Sequence, residues 1–302
     1  MTKPSVIHKN RLIATPFYLL IPFVLIYLVF WFIPLIQGFL ISLRENDLME
    51  TGAFIGLDNY RLILQDDRFY TSLYNTSIYA FSSLAIILPL SLTLAHGLKS
   101  SPPLLKNIFM FFLLLPGLTS PTVLAFLFVL IFNGEHGILN MILSPLGIGT
   151  IDWIKDPAYI KASLVIQSVW RWTGFITYFL WAGLESIPKA YYELAMVEGA
   201  GRLKVLFTVT LPLLKNILLF VALFLVLDSF ILFEGSYILL GGSGGTADAG
   251  LLFVSYIYNQ ALYQGNFGTA AAMSFSLAPV FLFVILGFTY IFKVKSKKAS
   301  SL

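Results

Sequence analysis

The chain has no cysteine among its 302 residues. That absence excludes disulfide frameworks, thiolate metal sites and cysteine nucleophiles together. Histidine is scarce too. His8, His96 and His136 lie far apart, without ligand spacing, so no metal site is expected. Charged residues make up only 11%, where soluble domains carry about 25%. There is no GxxxxGK[ST] segment and no GxGxxG after a strand, so no nucleotide is expected to bind this chain through a phosphate loop. No nucleophile–base constellation occurs, and no catalytic residue is assigned. No fixed-period repeat is found.

What is present is hydrocarbon. The chain is 58% hydrophobic, with mean hydropathy +0.85. So apolar a chain cannot hide its surface in one water-soluble core, which implies membrane residence. A spanning helix needs roughly 20 mostly apolar residues. Six are predicted, at about 16–41, 77–98, 107–132, 160–184, 217–240 and 271–291. The first is too long for a signal peptide, runs on into Leu43-Arg44-Glu45-Asn46 and lacks a small-residue cleavage pattern. The expected fold class is an all-α integral membrane protein of six transmembrane helices, a single domain over 1–302.

Orientation follows from Lys and Arg. With the N-terminus inside, thirteen fall on inner segments and five on outer ones, and Arg171 lies within a span. The positive-inside rule then puts both termini in the cytoplasm. Glu45, Asp47, Glu50, Asp58, Asp66 and Asp67 crowd the first outer loop. The pI of about 9.1 is thus a product of topology, and nucleic acid is not expected as a partner. That outer loop is amphipathic in parts and reads as an interfacial helix. The second outer segment, 133–159, reads as a surface helix plus a loop. The third, "LGGSGGTADAG", reads either as a flexible loop or as backbone that fits closely against another protein.

One charged, bent stretch interrupts the oil: "LESIPKAYYELAMVEGAGRLKVLFTVTLP". It lies between the fourth and fifth spans, in the cytoplasmic segment 185–216. Ser186 is expected to cap a short helix with Pro188 near its first turn. Ala190, Tyr191, Leu194, Ala195 and Val197 give that helix an apolar side, and Glu193 and Glu198 its polar positions. Gly199 and Gly201 break it. A second short helix runs from Arg202 to about Thr210 and ends at Leu211-Pro212. Helix–helix connections commonly need only about 2–8 residues, so a loop this long with its own fold is expected to be a docking surface.

The same stretch resembles the conserved cytoplasmic loop of binding-protein-dependent ABC importer permeases, a pattern of E-A-A-x-x-x-G, about nine residues, then I-x-L-P. Glu193, Ala195, Gly199, Thr210, Leu211 and Pro212 occupy it, with Leu194 where Ala is usual and Asn216 where Pro is common. "GLDNY", "AGLESIP" and "GNFGTAAAMSFSL" are similar to segments of the carbohydrate-type (maltose- or glycerol-phosphate-importer-like) subfamily, specifically its first permease of a pair. "YILLGGSGGTAD" resembles its outer segment but lacks the Pro. The resemblance implies a permease of the bacterial or archaeal plasma (inner) membrane that forms half of a heterodimeric pore. It implies as partners a cytoplasmic ABC ATPase dimer, a second permease and an extracellular or periplasmic sugar-binding protein, beside the lipid bilayer. The chain itself needs no cofactor; ATP and Mg are bound by the partner ATPase. The first short helix would be the coupling helix. Glu193 would anchor it, Gly199 with Ala200 would form its bend, and Tyr191, Tyr192, Leu194, Ala195, Met196 and Val197 would pack in the ATPase cleft.

Charges within a span cost about 2.5–3.5 kcal/mol each at the centre on insertion scales, so they usually face a cavity. Arg171, Asp228 and Glu234 are three such charges. Ser168, Arg171, Trp172 and Phe175 share one helical face, and Asp228 and Ser229 share another with Leu225 and Leu232. Aromatic and polar groups together suit a sugar, and the resemblance places these faces on the sugar path. The structural alternative pairs Arg171 with Asp228 or Glu234 to hold helices together, or sets Arg171 and Glu234 near the outer headgroups. A self-contained ion-coupled secondary carrier is the competing function; it predicts inverted repeats, which are not seen.

Overall fold

The computed structural model describes residues 20–45 and 52–299. The described residues are helical throughout, with one isolated bridge, Arg44 to Phe54, and no strand. We number the helices α1 Leu20–Ser42, α2 Asp58–Leu64, α3 Asp67–Lys99, α4 Pro103–Leu118, α5 Pro121–Ile131, α6 Ile138–Leu143, α7 Pro157–Ser186, α8 Lys189–Val197, α9 Arg202–Ile231, α10 Glu234–Leu239, α11 Phe253–Tyr258 and α12 Phe267–Ala299. Four helices are long and apolar enough to cross a membrane: α1, α3, α9 and the 267–287 part of α12. The α4–α5 pair makes a fifth if it is one broken span.

Two compact units form. The first contains the described residues of Met1–Gln65 and Gln260–Leu277. Within it, Asn59 is fully buried and donates to the carbonyls of Ser42 at 2.9 Å and Arg44 at 2.6 Å. Tyr60 and Ser42 share a hydroxyl hydrogen bond of 2.9 Å. "GLDNY" is thus a clamp on the C-terminal end of α1. The apolar side chains of α1 stand exposed, Phe30 and Trp31 each at 70%.

The second unit spans Asp66–Asn259 and Ala278 onward. Its axis is the α3–α7 pair. Every fourth residue of α3 is buried from Tyr79 through Ser83, Ile87 and Ser91 to Ala95. The matching row on α7 is Ile160, Leu164, Ser168, Trp172, Ile176, Leu180 and Leu184. Rows at i±4 form the ridges that helices pack into grooves. The serines let the backbones close in, and Ser91 Oγ donates to the Thr173 carbonyl at 3.1 Å. α4 approaches α7 as closely: a Cβ on Gly174 would overlap the Leu113 carbonyl. α7 falls short of a spanning helix by hydropathy although it has 30 residues. It is walled by protein, so its sides need not be oily.

Several predicted boundaries move. α3 begins at Asp67, not 77, because Asp66 caps it by accepting from Arg68 N at 2.9 Å. Among the described residues, the loop before it therefore holds only the short α2. The single span at 107–132 is two helices bent by 99°. Thr119 and Ser120 are extended, as suits the residues that lead into Pro121. The span at 217–240 stops at Ile231: Leu232 turns into the core and α10 restarts at Glu234. The second outer segment folds around Asn140, which donates to the Gly134 and Ile151 carbonyls and accepts from Trp153 Nε1 at 2.9 Å.

Candidate functional site

Two places carry the predicted residues. The first lies where α7 meets α9. Trp172 Nε1 donates to Asp228 Oδ2 at 2.7 Å. Its ring centroid is 5.6 Å from Phe175 and 4.9 Å from Phe224. The Arg171 guanidinium lies 4.5 Å over the Trp172 ring, a cation–π contact. Among the described residues no ion pair joins Arg171 to Asp228 or Glu234; the nearest acceptor role of Asp228 is taken by the indole. Arg171 Nε is buried without a hydrogen-bond partner. Ser168 is buried beside this group. Ser229 is buried too, but its hydroxyl donates to the Leu225 carbonyl of its own helix. Glu234 is exposed at the start of α10, beyond the break.

Sequence reasoning missed Gln167. It is 4% exposed, its Nε2 has no partner, and its Oε1 would lie 3.0 Å from a Cβ on residue 235. Its only signal was a polar side chain beside Ser168 in an apolar run. Gln167, Ser168, Arg171 and Trp172 line a void with Tyr79 and Gly235, of about 10 Å³, room for roughly one water. As it stands this group holds a water-sized guest and no sugar. What it offers is a set of unmet donors, Arg171 Nε and Gln167 Nε2, against a wall of aromatic rings.

The second place is the bent stretch at 185–216. α8 ends in a closed motif: Gly199 has φ +70°, its N–H donates to the Met196 carbonyl, and Ala200 N–H reaches the Ala195 carbonyl. Gly201, by contrast, is extended and starts α9, so only one of the two glycines needs the left-handed region. Ser186 does not cap α8; its hydroxyl returns to the Gly183 carbonyl of α7. Nor does a second short helix end at Leu211-Pro212. It forms the first part of α9, which runs on through a π-helical turn, Leu206–Thr210, and the wider turn accommodates the Pro212 ring.

α8 shows oil to solvent. Tyr191 is 50% exposed, Leu194 64%, Met196 63% and Val197 86%, while Ala195 is its one buried residue. Tyr192 turns inward beneath Lys99 Nζ, 4.7 Å from its ring, and Lys99 also donates to the Leu184 carbonyl at 2.8 Å. Glu193 is exposed and makes no ion pair within the described chain. A groove of about 680 Å³ opens between α8, the start of α9 and the C-terminal end of α3, bordered by His96, Lys99, Glu193 and Arg202.

Residues 87–294 match the family described as the binding-protein-dependent transport system inner membrane component. The chain belongs to this family. The match includes the residues just described at both places, except Tyr79. Similar curated proteins include the arabinooligosaccharides transport system permease protein AraP of Bacillus subtilis, 37% identical over 90% of this chain and 87% of its own. The trehalose/maltose transport system permease protein MalF of Thermococcus litoralis is 30% identical over 94% of each chain. Among solved structures, a chain of a bacterial alginate ABC transporter, in complex with an alginate pentasaccharide-bound periplasmic protein, superposes with a TM-score of 0.80. It covers 94% of this chain and 96% of its own at 22% identity, so it speaks for the fold alone. The permease family membership sets aside the ion-coupled carrier and places the chain among transport subunits of membranes.

Proposed function

We propose that the chain forms half of the path by which an ATP-driven importer moves a sugar or oligosaccharide delivered by an extracellular binding protein. The carrying observation is α8: a short helix locked by Gly199 that exposes Tyr191, Leu194, Met196 and Val197 without covering them. Exposed clustered oil beside polar groups marks a docking surface. We assign its occupant as a cytoplasmic ATPase dimer that binds ATP and Mg, with Glu193, Ala195 and Ala200 completing the contact around Tyr192. A second permease supplies the other half of the pore. The six crossings of this reading are α1, α3, α4 with α5, α7, α9 and α12, with both termini cytoplasmic and one permease domain in all. The permeases of arabinooligosaccharides and of trehalose/maltose among the relatives favour a carbohydrate cargo.

For the cargo we assign Ser168, Arg171, Trp172, Phe175 and Asp228, with Gln167 added, and Ser229 and Glu234 at the margin. The water-sized void means that the sugar enters a more open state than this one. Liposomes carrying this chain, the second permease and the ATPase should import sugar only with binding protein and ATP. Import by this chain alone would sink the reading. Arg171→Ala should lower import while the complex still co-purifies; loss of the complex instead would make Arg171 a packing residue.

A further inference from the structure

The outer Gly-rich segment is not slack. Gly241, Gly242, Gly244 and Gly245 all take positive φ, and then Ala247 (φ +54°) and Asp248 (φ +56°) do so as well. Two consecutive residues with a Cβ in that region are uncommon and persist only where the surroundings impose them. The surroundings here are the outer end of α3. Asn75 donates to the Asp248 carbonyl at 2.8 Å and the Leu251 carbonyl at 3.2 Å. Thr76 Oγ1 accepts from Phe253 N at 3.0 Å. Two of these bonds are buried and the one to the Asp248 carbonyl is part-buried, and together they fix where the segment leaves the core. A separate clip sits further out. Arg68 Nε and Nη2 donate to the two carboxylate oxygens of Asp248, each at 2.8 Å. The same guanidinium lies 5.2 Å over the Tyr256 ring, and the Tyr256 hydroxyl donates to Asp66. The pair stays partly exposed, 44% and 27% for the two side chains. A fork on a carboxylate permits essentially one geometry, which lysine cannot copy.

The tip so held is open. Gly241, Ser243, Thr246 and Ala247 are its exposed residues, none larger than threonine. A partner that meets such a tip reads backbone shape rather than side chains. We infer that Arg68 and Asp248 are positioning residues that hold the Thr246–Asp248 tip in the shape on which the extracellular binding protein docks. This rests on the importer reading and on the outer side assigned there.

The test uses the full importer in liposomes, titrated with sugar-loaded binding protein, with ATP hydrolysis as the readout. Arg68→Lys keeps the charge and loses the fork. Asp248→Asn keeps a residue tolerant of positive φ and loses the carboxylate. Each should raise the half-saturating binding-protein concentration by about five-fold or more while the maximal rate holds within about two-fold, the signature of lost binding rather than lost turnover. An unshifted half-saturation point in both variants overturns the inference. So does a fall in maximal rate alone, or failure of both variants to assemble, since either would make the pair a fold support. A wild-type complex whose hydrolysis ignores the binding protein sinks the importer reading itself.

Discussion

The bent stretch around Gly199 and the Gly-rich segment at 241–250 both turn on glycine, yet they use it in opposite ways. At Gly199 an added Cβ would meet nothing within 4 Å. There glycine serves conformation only: it turns the chain and leaves α8 standing in the open. At Gly244, Gly245 and Gly250 an added Cβ would run into Leu251, Ile160 or Leu240. There glycine serves approach: it lets the segment lie on the permease's own helices. The pattern of glycines in sequence does not separate the two cases, because both need freedom of φ. What separates them is whether anything lies where the Cβ would be.

Substitutions can break or sharpen that contrast. The largest effect is expected at Gly250→Leu, where overpacking against Leu240 and Ile160 should cost about 3 kcal/mol and lower the melting temperature of the detergent-purified complex. Asn75→Ala should come next, at about 2 kcal/mol, since it removes the donor to the Leu251 carbonyl near the core and leaves the Asp248 carbonyl with the Leu251 N–H alone; a melting temperature equal to wild type would refute the pinning described. Gly199→Ala should cost only about 1–2 kcal/mol, the φ penalty without a clash. The smallest change in stability is expected from Leu194→Ser with Val197→Ser, within about 0.5 kcal/mol because both side chains are exposed. That double variant should nevertheless lose co-purification with the ATPase. Retention of the ATPase would remove α8 as its docking surface.

The group proposed to meet the cargo was only partly legible. Ser168, Arg171, Trp172 and Phe175 were found because helical spacing alone puts them on one face. Their chemistry was not visible. Whether Arg171 would pair with a carboxylate depended on the rotation of α9, and the indole of Trp172 reached Asp228 first. Gln167 escaped because orphaned polarity is a property of surroundings, not of residue type. The broken third span was nearer to hand, with Pro116 and Pro121 five residues apart, whereas the break after Ile231 has no proline or glycine in its gap and comes from Leu232 turning into the core.

By itself, the sequence determined membrane residence, the all-helical class, the presence of a locked bend at Gly199 and the family. Each rests on composition, on helical period or on a contiguous motif, all of which are local along the chain. Tertiary structure alone decided that α7 is a protein-walled axis, that Asp228 belongs to Trp172, and that Arg68 clips Asp248 across 180 residues of chain. Those outcomes depend on which faces meet, and the packing of four-residue ridges sets that only once the helices are assembled.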